Sequence, residues 1–162
     1  VDVGCNSNSG QFLIKQFGID PETAEKGRSV YFFGRMLGTF AGALLLTKIS
    51  PRKFFMWTSL LGIMSLTAIL LVKAPAMAWV IVFLIGLTVA NIWPLVFSIA
   101  VEKYPERNNE ISGLMMMAIS GGAVIPLLIG YLSDVSTIAI GMTVLIACMV
   151  YLWGVALYCL RK

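Results

Sequence analysis

The chain has 162 residues, 59% of them hydrophobic and only 12% charged, with a formal net charge of +4 and no histidine. A mean hydropathy of +0.88 lies far above the balance of a soluble domain, in which about a quarter of residues are charged. Such a chain cannot hide its apolar side chains in a core of its own and needs lipid around it. The absence of histidine also removes the commonest metal ligand and general base, which argues against a hydrolytic or metal-dependent enzyme.

A helix crossing about 30 Å of hydrocarbon needs roughly 20 mainly apolar residues. The sequence offers a polar opening span at about 1–17 and apolar spans at about 29–47, 54–72, 76–100, 111–132 and 136–160. Charged or proline-marked connectors separate them: "GIDPETAEKGR", "KISPRK", "VKAPA", "VEKYPERNNE" and "LSDVS". They are too short to hold a second domain, so the pattern predicts an all-α membrane protein, one six-transmembrane-helix bundle. No methionine and no basic, signal-like leader opens the sequence, so it reads as a piece of a longer polypeptide missing the opening turns of its first span.

The first span, "VDVGCNSNSGQFLIKQF", is unusually polar. On a helix Asp2, Asn6 and Ser9 or Gly10 share one face, while Asn8, Gln11 and Lys15 share another. Unsatisfied amides cost several kcal/mol in hydrocarbon (roughly 4–8 by alkane transfer), so these groups must face water, protein or a ligand. The alternative is an exposed tail beyond the membrane. In the second span "GRMLGTFAG" places Gly34, Gly38 and Gly42 on one face as overlapping G-x-x-x-G patterns, a close-packing signal. Arg35 beside them either lines a cavity and holds a gate, or snorkels to the nearer interface.

The fourth span carries "VANIWPLVFSIAVEKYPE". Pro94 interrupts the hydrogen-bond ladder near Ala90, with Asn91 and Trp93 beside the break. An amide, an indole and a kink at mid-membrane suit a sugar path; a packing kink with Trp93 turned to lipid is the alternative. The fifth span, "SGLMMMAISGGAVIPLLIGYLSD", holds Gly121, Gly122 and Pro126, which predict a helix able to bend as alternating access requires. Met115, Met116 and Met117 read as apolar filler, and Cys5, Cys148 and Cys159 as small buried hydrophobes without disulfide or metal spacing. Lys48, Arg52, Lys53, Lys103, Arg107, Arg161 and Lys162 gather on one side. The other side holds Lys15, Lys26, Arg28 and Lys73 with acids nearby. The bias predicts a cytoplasmic C-terminus and shows no patch suited to nucleic acid.

The stretches "GRMLGTFAGALLLTKISPRKFF", "NIWPLVFSIAVEKYPE" and "SGLMMMAISGGAVIPLLIGYLSD", in this order and spacing, resemble the C-terminal half of the fucose–galactose–glucose:proton symporters, a branch of the major facilitator superfamily. The resemblance covers essentially the whole chain and is carried most specifically by Gly121, Gly122 and Pro126 and by Trp93 before Pro94. The opening "GCNSNSGQFLI" resembles that branch's polar seventh helix, which faces the central cavity. One departure is Thr47, which stands where the superfamily's basic loop motif carries an aspartate. The resemblance implies helices seven to twelve of a twelve-helix permease in a bacterial inner membrane. Transport would be proton-coupled alternating access of a hexose or deoxyhexose by a monomer. The coupling carboxylates are expected in the other half.

The candidate substrate contacts are Asn6, Asn8, Gln11, Asn91 and Trp93. The candidate cavity or gating residues are Asp2, Arg35, Gly121, Gly122 and Pro126. The expected partners are a monosaccharide, the proton and the lipid bilayer, with no cofactor, no metal and no catalytic residue. Two rival readings remain: within the same fold, a facilitator of another polar solute, and from a different class, a self-contained six-helix membrane scaffold.

Overall fold

The structure is a computed structural model that describes residues 2–161, apart from the side chains of Ser7, Ser9, Ala123, Asp134 and Ile138. The expectations that involve Val1, Ser9, Asp134 and Lys162 lie outside the described residues. Among the described residues there are seven α-helices and no strand. They are α1 (Asp2–Phe17), α2 (Pro21–Leu45), α3 (Pro51–Leu71), α4 (Pro75–Val89), α5 (Ile92–Lys103), α6 (Asn108–Val135) and α7 (Ile138–Arg161). A single 3₁₀ turn, Pro105–Arg107, precedes α6.

Proline sets most of these boundaries. Pro21, Pro51, Pro75 and Pro105 each open an element, where the missing N–H would have had no intrahelical partner anyway. Asp20 caps α2, its carboxylate accepting from the backbone N–H groups of Glu22 (3.1 Å) and Thr23 (3.4 Å). Gly18 ends α1 with φ +62°, a left-handed conformation that glycine adopts without steric cost. The stretch 76–100 is divided between α4 and α5 by a turn at Ala90 and Asn91. Pro94 lies in the first turn of α5, so it costs that helix no hydrogen bond. Pro126 lies beyond the first turn of its helix, and α6 runs through it without a break.

The helices form a closed ring in the order α2, α4, α3, α7, α6, α1, with α5 continuing α4 along α3 and towards α6. The seam between α2 and α4 is backbone against backbone. A Cβ added at Gly34 would collide with the carbonyl oxygen of Phe83, and one at Gly38 with that of Leu87. Gly86 of α4 returns the contact against the carbonyl oxygen of Tyr31. The glycines expected to form a seam therefore form one, and the partner is α4. Buried around it lie Phe12, Tyr31, Phe55, Leu66, Leu95, Ile129, Leu145 and Met149. Hydroxyls inside the helices bond their own preceding turn, as Thr58 does to Phe54 (2.9 Å) and Thr88 to Leu84 (3.0 Å), so they can sit in an apolar setting.

Among the described residues, four stretches are long and apolar enough to cross a membrane: Pro51–Leu71, Pro75–Lys103, Pro105–Ser133 and Ala139–Arg161. The first two helices are not in that set. α1 has only 16 residues and is rich in amides, while α2 begins with "PETAEKGRS" and contains Arg35. Both instead lean on α4. Outward, Phe33, Phe40, Leu44, Leu71, Met117, Leu127 and Tyr151 are exposed, a surface suited to lipid or to further protein. α6 is the extreme case, with 6% of its most apolar window buried.

Candidate functional site

The polar groups of α1 and α2 meet where sequence left them apart. Tyr31 and Arg35 stand four residues apart on α2, so both side chains leave the same face. That face meets the first turn of α1. Arg35 Nη1 lies 2.7 Å from Asp2 Oδ2, and the Tyr31 hydroxyl donates to Asp2 Oδ1 at 2.5 Å. Each carboxylate oxygen thus has one donor, and the same hydroxyl is 3.4 Å from the Asp2 backbone oxygen. Tyr31 is fully buried, so its hydroxyl is fixed in place. The Arg35 and Asp2 side chains keep 38% and 35% exposure, which leaves the ion pair open on one side.

Depth follows from helix geometry. Arg35 is 14 residues beyond Pro21, about 21 Å along a 25-residue helix of about 37 Å. The pair therefore lies near the middle of the bundle. An arginine inside a span is costly, about 2.5–3.5 kcal/mol at a helix centre on insertion scales, and a close carboxylate offsets that cost. Arg35 reaches Asp2 rather than an interface.

The other expected contacts fall into two groups. Asn8 and Asn91 are buried and their amides donate to backbone carbonyls, Asn8 to Gly4 (2.9 Å) and Asn91 to Gly38 (2.7 Å). Asn91 does not cap α5; it fastens the α4–α5 break to α2, its side chain lying directly over Gly42. Gln11 and Trp93 are exposed and Asn6 is half-buried. These positions do not share one level. Gln11 stands nine residues from Asp2, about 14 Å towards one end, and Trp93 seven residues beyond Gly86, about 10 Å towards the other. They are strung along the axis of the bundle.

Among the expected gating residues, Gly122 faces Val3 of α1, 3.3 Å from a Cβ placed there, while Gly121 faces open space. Pro126 deprives the Gly122 carbonyl of its usual partner, at the point where α6 passes α1. Tyr31 was not singled out from the sequence, although its spacing from Arg35 placed both on one face. A second charged contact joins Arg52, at the start of α3, to Glu102 near the end of α5, at 3.7 Å. Thr47, found where an acid was expected, bonds the Leu44 carbonyl (2.7 Å). Among the described residues no group of three or more His, Cys, Asp or Glu could hold a metal ion.

An all-helical ring with lipid-suited walls and four stretches, among the described residues, long and apolar enough to span a bilayer marks a multi-pass membrane protein. The sequence profile of the Major Facilitator Superfamily matches residues 4–162, and the chain belongs to that superfamily. It is 30% identical over 159 residues to a glucose/galactose transporter of Brucella abortus, covering 94% of this chain and 38% of that protein. It is 30% identical over 136 residues to a glucose/mannose transporter of Bacillus subtilis, covering 79% and 33%. A fosmidomycin resistance protein of Escherichia coli is 27% identical over 128 residues, covering 78% and 31%. The chain thus spans less than two-fifths of the length of these relatives.

Proposed function

We propose that this chain is the C-terminal six-helix bundle of a hexose or deoxyhexose permease of the fucose–galactose–glucose:proton symporter branch. The observation that carries the reading is the Asp2–Tyr31–Arg35 cluster, a charged and hydrogen-bonded group at half depth that is open on one side. Its open side lets sugar hydroxyls bond the part-exposed Asp2 carboxylate and Arg35 guanidinium while the two charges stay paired. Gln11, Asn6 and Trp93 line the path above and below it, with the indole face offered to the apolar C–H face of a pyranose. Asn91 ties the α4–α5 break to α2, while Asn8 bonds within α1. The kinship with sugar transporters supports the substrate class.

In this reading the bundle, a single domain of six spans, rocks against a partner bundle elsewhere in the same polypeptide. Gly121, Gly122 and Pro126 let α6 bend past α1. The protein works as a monomer in a bacterial inner membrane, with its C-terminus in the cytoplasm and the proton carried by the other half. The test is uptake of labelled hexoses into vesicles containing the full-length protein, with and without an imposed pH gradient. Accumulation that needs the gradient and fails in Asp2→Asn is expected. Gradient-independent equilibration would remove the coupling, and no hexose uptake at all would remove the substrate class.

The second reading, a facilitator of another polar solute, draws on the resistance-protein relative and on the part-exposed Arg35 guanidinium, which could meet an anion. Competition of hexose uptake by an anionic solute, abolished in Arg35→Gln, would favour it.

A further inference from the structure

We propose that the end of the bundle carrying the C-terminus holds a binding site for the phosphate of an anionic phospholipid, formed where α3, α5 and α7 meet. α3 packs against both α5 and α7, so its first turn stands between the last turns of the other two. A cavity of about 150 Å³ opens there, lined by Arg52, Ile99, Lys103, Tyr158 and Cys159. Two of the five lining residues are cations and none is an acid.

The surrounding charges do not cancel them. Glu102 approaches Arg52, but at 3.7 Å and 57% exposed it is well outside the roughly 2.7–2.9 Å of a close charge-assisted bond. Lys103 Nζ sits 5.5 Å from the centre of the Tyr104 ring, a contact that leaves its charge intact. Arg107 is matched by Glu110 at 2.9 Å, Glu106 stands exposed on the 3₁₀ turn, and Lys48, Lys53 and Arg161 add positive charge at the same end. An anion is the missing complement.

The wall decides what kind of anion. Ile99 is buried and Cys159 packs on the apolar core, so the cleft is cationic at its mouth and apolar behind. That asymmetry fits an amphiphile, with the phosphate between Arg52 and Lys103 and the glycerol and first methylenes along Ile99 and Cys159. The cleft also lies at the ends of apolar spans, the depth at which headgroups sit, and basic pockets between transmembrane helices recurrently hold anionic headgroups.

The test titrates the full-length protein with phosphatidylglycerol, phosphatidylcholine and glycerol phosphate, with bound species counted by native mass spectrometry. Phosphatidylglycerol is expected to bind, while phosphatidylcholine and glycerol phosphate at equal concentration do not. The pair Arg52→Gln with Lys103→Gln should weaken binding roughly 30-fold, from two cations each acting near the surface. Lys26→Gln with Arg28→Gln, the same charge loss at the opposite end, should leave it unchanged. Cys159 gives a readout that needs no variant, since bound phosphatidylglycerol should slow its alkylation and phosphatidylcholine should not. Equal binding of the two lipids, equal binding of glycerol phosphate, retention within threefold by the double variant, or unprotected Cys159 would each overturn the proposal.

Discussion

Gly38→Ala is the sharpest probe of the packing that positions the site. The added carbon would lie 2.9 Å from Leu87 Cα and 3.0 Å from its carbonyl carbon, and closer still to its oxygen. These are backbone atoms that cannot swing aside. Restoring an ordinary contact of about 3.5 Å requires α2 and α4 to part by roughly 1 Å. Overpacking of this kind costs about 1–3 kcal/mol. The same displacement stretches the 2.7 Å bond from Asn91 to the Gly38 carbonyl, and an interhelical bond in a membrane protein contributes about 0.6 kcal/mol on average. The expected destabilisation is therefore about 1.5–3.5 kcal/mol. Gly121→Ala is the matched control, because a Cβ there meets nothing within 4 Å and alanine is the better helix former. Thermal unfolding of the two variants in one detergent, followed by thiol-reactive fluorescence, compares them directly. If Gly38→Ala proves no less stable than Gly121→Ala, the α2–α4 seam is wrongly assigned.

Asp2→Asn should lower folded protein more than the double variant Asp2→Asn with Arg35→Gln, because the single change strands a cation at half depth. A coupling of about 0.5–3 kcal/mol between the two sites is expected, and independent effects would mean the ion pair is not formed. Tyr31→Phe removes one charge-assisted donor to Asp2 and should cost about 1.5–3 kcal/mol without changing apolar burial; a loss well above that range would place the hydroxyl in another role. Trp93→Ala should weaken sugar binding far more than it lowers abundance, since the indole is 44% exposed, and equal loss of both would make the indole structural. A cysteine at Gln11 should react with a water-soluble maleimide while one at Asn8 should not, and reversed labelling would put the wrong face of α1 inside the bundle.

Much of the fold was legible before any coordinates. The class of protein, the helical periodicity, the proline-marked starts and the glycine face of α2 are local properties, set by how far apolar residues run and where an N–H is missing. The meaning of particular side chains was less legible. Asn91 looks equally suited to a hydroxyl and to a carbonyl, and only the approach of Gly38 shows which it bonds. Asn8 reads alike, yet its amide turns back on Gly4.

The glycines mark the division most clearly. Gly34, Gly38 and Gly42 on α2 and Gly113, Gly121 and Gly130 on α6 are both strings of small residues in apolar helices. The first packs against α4, while the second meets nothing within 4 Å. Composition and periodicity determined that this chain is a set of lipid-surrounded helices, because those features report transfer out of water. Which faces meet, and so the joining of Asp2 to Tyr31 and Arg35, was decided only by tertiary structure. In a membrane, lipid and protein are about equally apolar, so helix association rests on shape and hydrogen bonds between residues distant in sequence.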